Sequence, residues 1–218
     1  MQKQKFETRT LIVMSMFCAL AFATTAIFRI PVVLWLKFDP KDCLLAIGGM
    51  LYGPAAALLM SVVVSLVEMF TISDTGWIGL IMNILSSSLF ILPAAFLYRR
   101  HRSLKNAVLG LVVGIVLVTA GMVLWNWLIT PLYMAIPREQ IEPLLLSAFL
   151  PFNLFKASLN AVLTVLLYKS VVSALRAAHL IPKTEAAPRR RVSVGVLLVC
   201  LFCLATLLLI WLVWQGIL

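Results

Sequence analysis

Long apolar runs separated by short polar stretches fill most of the chain, near residues 10–28, 43–70, 77–98, 106–134, 144–175 and 193–215. A helix of about 20 apolar residues crosses a hydrocarbon core, so this pattern predicts membrane-spanning helices, six if each run crosses once. The second run resists that count. Its 28 residues would make about 42 Å of helix at a rise of roughly 1.5 Å per residue. It also carries Tyr52-Gly53-Pro54 near its first third. Glycine accepts unusual backbone angles and proline cannot continue a helix, so a turn is expected there. The result is two short helices, tolerable where other helices shield them.

Charge placement decides between one crossing and two. Basic residues cluster at the N-terminus (Lys3, Lys5, Arg9), in "YRRHRSLK" at 98–105 and in "RAAHLIPKTEAAPRRR" at 176–191. The segments "TISDTG" at 71–76 and "AIPREQIEP" at 135–143 carry almost no net positive charge. Basic loops favour the cytoplasm. With the N-terminus cytoplasmic, a single crossing by 43–70 would put 99–105 on the wrong side, whereas a double crossing puts every basic cluster inside. The expectation is an all-α polytopic membrane protein. Residues 1–175 form a six-helix substrate-binding domain, 176–192 a basic cytoplasmic linker with Pro182 and Pro188, and 193–218 an extra C-terminal transmembrane helix. That last span is apolar nearly all round, and its end is expected outside. The first run lacks a small-residue cleavage site and reads as a retained span of the plasma membrane.

Composition supports this and removes competing classes. The chain is 63% hydrophobic and 12% charged, far more apolar than a soluble domain of its length. The formal charge of +10 does not point to nucleic acid, because the basic residues sit at the ends of apolar runs. Cys200 and Cys203 form a CxxC within an apolar helix without a second ligand pair, and with Cys18 and Cys43 they read as packing residues. The two histidines, His101 and His179, lie in connectors, and no GxSG or HExxH occurs. No enzyme and no resident cofactor is expected.

One segment, "PFNLFKASLN" at 151–160, conflicts with its surroundings. A charge near the bilayer centre costs about 2.5–3.5 kcal/mol on insertion scales. Asn153, Lys156 and Asn160 nevertheless share a stripe of one helical face, which must turn inward because lipid cannot satisfy it. Counting from about Pro143, Asn153 and Lys156 lie about 15–20 Å along the helix. Pro151 weakens the backbone ladder just before them. Asn126, between Trp125 and Trp127, and Asn83 are further buried amides. The segment 29–42 holds Val33, Leu34, Trp35, Leu36 and Phe38, too apolar for a solvated loop, and reads as a lid over the bundle. Glu68 falls near the same, outer end. Two readings fit. In one, Lys156 pairs with Glu68 and the asparagines bridge helices, as in a scaffold, each contact worth about 0.6 kcal/mol. In the other, amides, one cation and aromatics bind a flat neutral ring with carbonyl oxygens and an N–H.

The stretches "LKFDPKD" (36–42), "AIGGMLYGPAAALLMSVVVSLVE" (46–68), "TGWIGLIMNILSSSLFILPAAFLY" (75–98), "NWLITPLY" (126–133) and "PFNLFKASLN" (151–160), in this order, resemble a known family. They are similar to the substrate-binding S components of energy-coupling factor (ECF) vitamin transporters of prokaryotes, of the riboflavin-binding RibU type. The resemblance covers about residues 10–175. It implies a six-helix bundle with both ends cytoplasmic and an outward site under the loop between the first two helices. It implies that Asn126, Asn153 and Lys156 hydrogen-bond the flavin ring, with Phe38 and Asp39 at the edge of the site; Asn83, a buried amide by its position in the chain, is a further candidate for substrate binding. It also implies a membrane coupling (T) subunit and two ATP-hydrolysing subunits as partners. Ser15, Ala19 and Ala23 resemble the family's alanine-rich docking surface, although that spacing equally suits internal packing. Glu68 and the helix at 193–215 depart from the family's pattern. An S component for a different vitamin would share fold and docking surface.

Overall fold

The computed structural model describes residues 8–33, 36–135 and 137–181. The chain divides into two compact units, residues 1–161 and 162–218. The hairpin and the helices before residue 150 belong to the first unit; the last described helix begins in it and runs on into the second.

Helix α1, Thr8–Ile27, buries Val13, Met14, Phe17, Ala21 and Thr25 along one face. That four-residue repeat is the spacing at which helical side chains stack. Ser15 and Ala19 are exposed and Ala23 is half-buried, so this stripe lies off the face that packs inward.

Helix α2, Lys41–Tyr52, has 12 residues, about 18 Å of helix. It is buried along its length from Lys41 to Met50 and packs against α1, against α3 (Pro54–Thr71) and against α4 (Gly76–Arg100). Such shielding lets a helix too short for the bilayer persist in it. The expected turn is present. Gly53 has φ +95° and Pro54 opens α3, a conformation that favours glycine followed by a residue suited to the first helical position.

Helix α5, Leu104–Leu128, lies against α4. A Cβ at Gly110 would come within 2.6 Å of the Ala94 Cα, so the missing side chain is what permits the approach.

Among the described residues, five helical stretches are long and apolar enough to cross a membrane: α1, α3, α4, α5 and Arg138–Ala177. The molecule is an all-helical polytopic membrane protein, with one hairpin among the described residues.

Three details correct the sequence-based boundaries. Residues in the expected lid form an antiparallel hairpin, β1 (Ile30–Val33) with β2 (Leu36–Phe38), with an irregular register between Pro31 and Val33. The run at 106–134 breaks after Leu128, and a short helix α6, Thr130–Met134, follows. The next run starts earlier than its hydropathy suggests, as α7, Arg138–Leu144, then a π turn, Leu145–Phe149, then α8, Leu150–Ala177. The π turn precedes Pro151, whose ring crowds the carbonyl one turn back. A widened turn relieves that clash, and Leu150 N–H bonds five residues back to the Leu145 carbonyl. Lys3, Lys5, Leu34, Trp35, most of the basic linker, the helix at 193–215 and its two cysteines lie outside the described residues.

A candidate ligand-binding cavity

A cavity of about 280 Å³ opens between the hairpin, the 72–75 loop, α3, α4, α5 and α8. It gathers five of the six residues singled out from the sequence: Asp39, Asn83, Asn126, Asn153 and Lys156. Phe38 is the exception. It does not line the cavity but packs edge-on against Phe155, ring centroids 6.3 Å apart, and so anchors the end of the hairpin. Met82, Met122 and Phe152 supply apolar wall.

The ionic arrangement differs from the expected one. Lys156 does not pair with Glu68. Its Nζ lies 2.8 Å from Asp39 Oδ2. Glu68 instead takes both oxygens to Lys41, at 2.8 and 2.6 Å, and accepts from Asn83 Nδ2 at 3.0 Å. Lys41 and Glu68 are only 2% and 3% exposed. Ser87 donates to Asp42 Oδ1 at 2.6 Å. A buried charge needs such a partner, and each here has one. Lys41 and Asp42 escaped sequence reading because charges ahead of an apolar run ordinarily sit in water. The detectable signal was the three charges in "DPKD" at the start of a short apolar helix.

The asparagines divide by role. Asn160 holds structure together: its Nδ2 donates to the Asp39 and Lys156 carbonyls at 3.2 and 3.1 Å, and its Oδ1 accepts from Cys43 N–H at 3.1 Å. The first turn of a helix leaves N–H groups without partners, and Pro40 offers α2 no side-chain cap. Asn160 supplies one from α8. Asn126 donates to the Met122 carbonyl at 2.7 Å and accepts from Thr130 at 2.9 Å, which orients its amide at the break between α5 and α6. Asn153 donates to the Phe149 carbonyl at 2.7 Å; its amide oxygen has no hydrogen bond among the described residues.

Asp39 has one oxygen on Lys156, while Oδ1 is buried without a donor among the described residues. Burial pushes this carboxyl up, but Lys156, Lys41 and Arg29 more than offset that and hold it below the ordinary carboxylate range. Arg29 donates to the Ile72 carbonyl, and Lys37 lies 3.5 Å from Asp74. Both contacts tie the hairpin to the 72–75 loop. The site thus offers one buried free carboxylate oxygen, one free amide oxygen and an ammonium, between apolar walls. That is equipment for orienting a ligand, and the described residues hold no cluster able to bind a metal ion.

Comparison with known proteins agrees with this picture. Residues 9–168 match the family described as "ECF transporter, substrate-specific component". A riboflavin transporter RibU of Staphylococcus aureus is 27% identical over 179 residues, covering 78% of this chain and 94% of the relative. A riboflavin transporter FmnP of Bacillus subtilis is 27% identical over 188 residues, covering 80% and 99%. A solved structure of the S component of a bacterial ECF transporter superposes with a TM-score of 0.64 at 26% identity, covering 77% of this chain and 98% of that one. A transporter's binding subunit needs an oriented ligand cavity and no catalytic machinery. The chain belongs to the substrate-specific components of ECF transporters, multi-pass proteins of the bacterial cell membrane that work with a coupling module.

Proposed function

We propose that this chain binds riboflavin from the outer face of the membrane and releases it inward when its ATP-driven partners act. The observation that carries the reading is the convergence of Asp39, Asn126, Asn153 and Lys156 on one cavity, in a chain whose relatives are named riboflavin transporters. A flavin ring presents two carbonyls flanking an imide N–H. The free amide oxygen of Asn153 suits that N–H, and Lys156 retains donors for a carbonyl. The unpartnered Asp39 Oδ1 suits a ligand N–H or hydroxyl. Asn126 adds a polar contact, and Asn83 acts through Glu68.

The finer organisation follows the same reading. Six helices up to about residue 175 form the S-component bundle, with the N-terminus cytoplasmic, and α2 is the short second helix. The basic stretch 176–192 belongs on the cytoplasmic side of the membrane by its charge. The partners are a membrane coupling subunit and two ATP-hydrolysing subunits, with Ser15, Ala19 and Ala23 on the docking face. The exposure of Ser15 and Ala19 in α1 favours docking over internal packing.

Fluorescence tests this directly. Purified protein should quench added riboflavin, and Asn153→Ala or Lys156→Ala should weaken binding by about 0.5–3 kcal/mol each. A folded protein that neither carries flavin nor quenches it would falsify the assignment.

A further inference from the structure

Glu68 is an acid placed among cations; without it the cavity lining would carry four cations against the two carboxylates of Asp39 and Asp74. Three lysines and an arginine line it, and each lysine is already engaged by a carboxylate: Lys37 by Asp74, Lys41 by Glu68 and Lys156 by Asp39. The Lys41 pair is the deepest, nearly inaccessible, with both Glu68 oxygens on one ammonium and Asn83 locking the carboxylate from the other side. Asp39 and Asp42 also act electrostatically on Lys41, so its positive field is spent inside the protein. Arg29 alone among the lining cations has no ion-pair partner among the described residues, and it is held to the Ile72 carbonyl beside the hairpin.

A neutral ring loses nothing in such a site. A phosphate monoester carries about −1.5 to −2 charges at neutral pH and needs unoccupied cations. Here it would meet lysines already bound, and the Glu68 carboxylate behind them would repel it in a medium that screens poorly. We infer that Glu68 is a specificity-determining residue: by occupying Lys41 it makes the site take the uncharged vitamin and refuse its 5′-phosphate. The inference rests on the flavin reading above.

The test titrates riboflavin and riboflavin 5′-phosphate into the purified full chain by fluorescence quenching, for wild type, Glu68→Gln and Lys41→Met. Wild type should prefer riboflavin by about tenfold or more. Glu68→Gln keeps the side chain's size and removes its charge. It should erase about tenfold of that preference through tighter phosphate binding. Lys41→Met should gain no phosphate affinity. A wild type that binds both flavins equally overturns the inference and puts the phosphate at Arg29 and Lys37. An unchanged preference in Glu68→Gln overturns it as well. On wild type alone, raising salt from about 50 to about 500 mM should not weaken binding of the phosphate form. A steep loss there would reveal direct phosphate–cation pairs and also overturns it, even if Glu68→Gln does not fold. Wild type blind to riboflavin itself removes the flavin reading, a distinct result.

Discussion

Replacing Lys156 with methionine is the most informative single perturbation. In the intact protein Lys156 Nζ lies 2.8 Å from Asp39 Oδ2, with the two side chains 16% and 10% exposed. Removing one partner of a buried ion pair costs about 3–5 kcal/mol, because the other charge stays buried without compensation. Asp39 already lacks a donor on Oδ1 among the described residues, but Lys41 and Arg29 still attract it. Their help places the expected loss for Lys156→Met near the lower end, about 3 kcal/mol. Asp39→Asn leaves the more accessible ammonium alone and should cost less, about 1–2 kcal/mol. The double variant leaves no unpaired charge and should be more stable than the sum of the two losses predicts. The coupling should be at least about 1.5 kcal/mol, within the range for residues in direct contact. Unfolding of all four proteins in one detergent, followed by tryptophan fluorescence and without ligand, measures it. Additive losses, with coupling near zero, would show that the two groups are not a pair and would remove the charge argument for the whole cavity.

Three further outcomes are expected. Asn160→Ala removes the α8 cap of α2 and its hold on the Asp39 backbone; riboflavin should dissociate several-fold faster and stability should drop by about 1–3 kcal/mol, and an unchanged dissociation rate in stopped-flow would contradict this. Gly110→Val forces atoms into the Ala94 backbone and should lower the unfolding midpoint clearly by overpacking, about 1–3 kcal/mol, whereas Gly76→Ala meets no neighbour within 4 Å and should do so only through its positive φ. Because the folded Asp39 carboxyl is held below its ordinary range, its stabilising contribution is complete above that range and is lost as pH falls through the lowered value. Ligand-free melting should therefore show no Asp39-dependent loss between about pH 7 and pH 5, and in Lys156→Met the loss should begin at higher pH; identical profiles would contradict the pairing.

Much of the fold was legible because a bilayer makes hydropathy and loop charge strong constraints. The break between α2 and α3 at Gly53 needed only a glycine–proline signal. The inward stripe at Asn153 and Lys156 followed from helical spacing, since lipid leaves such groups nowhere else to go. Spacing specifies a face, however, and not a partner. Lys156 meets Asp39, which is 117 residues away, and Asn160 on the same stripe became a helix cap instead of part of the cavity lining. The hairpin was missed because its strands lie in a nearly continuous apolar run, "IPVVLWLKF", without clear alternation. Burial of Lys41 depends on cover from elements distant in sequence, which no local pattern reveals.

The π turn at Leu145–Phe149 separates two jobs within one long transmembrane rod. It holds one residue more per turn than its surroundings, and each residue of an α-helix advances about 100°. Losing that extra residue would let the rod relax to ordinary winding with both flanks near their present phase. Losing one from an ordinary turn nearby would instead swing everything upstream by that angle, carrying fully buried Ile141 out of its seat. Asn153 and Lys156, downstream, would keep their phase. A one-residue loss confined to this turn should therefore leave in place both buried Ile141 on one side and the cavity-lining Asn153 and Lys156 on the other.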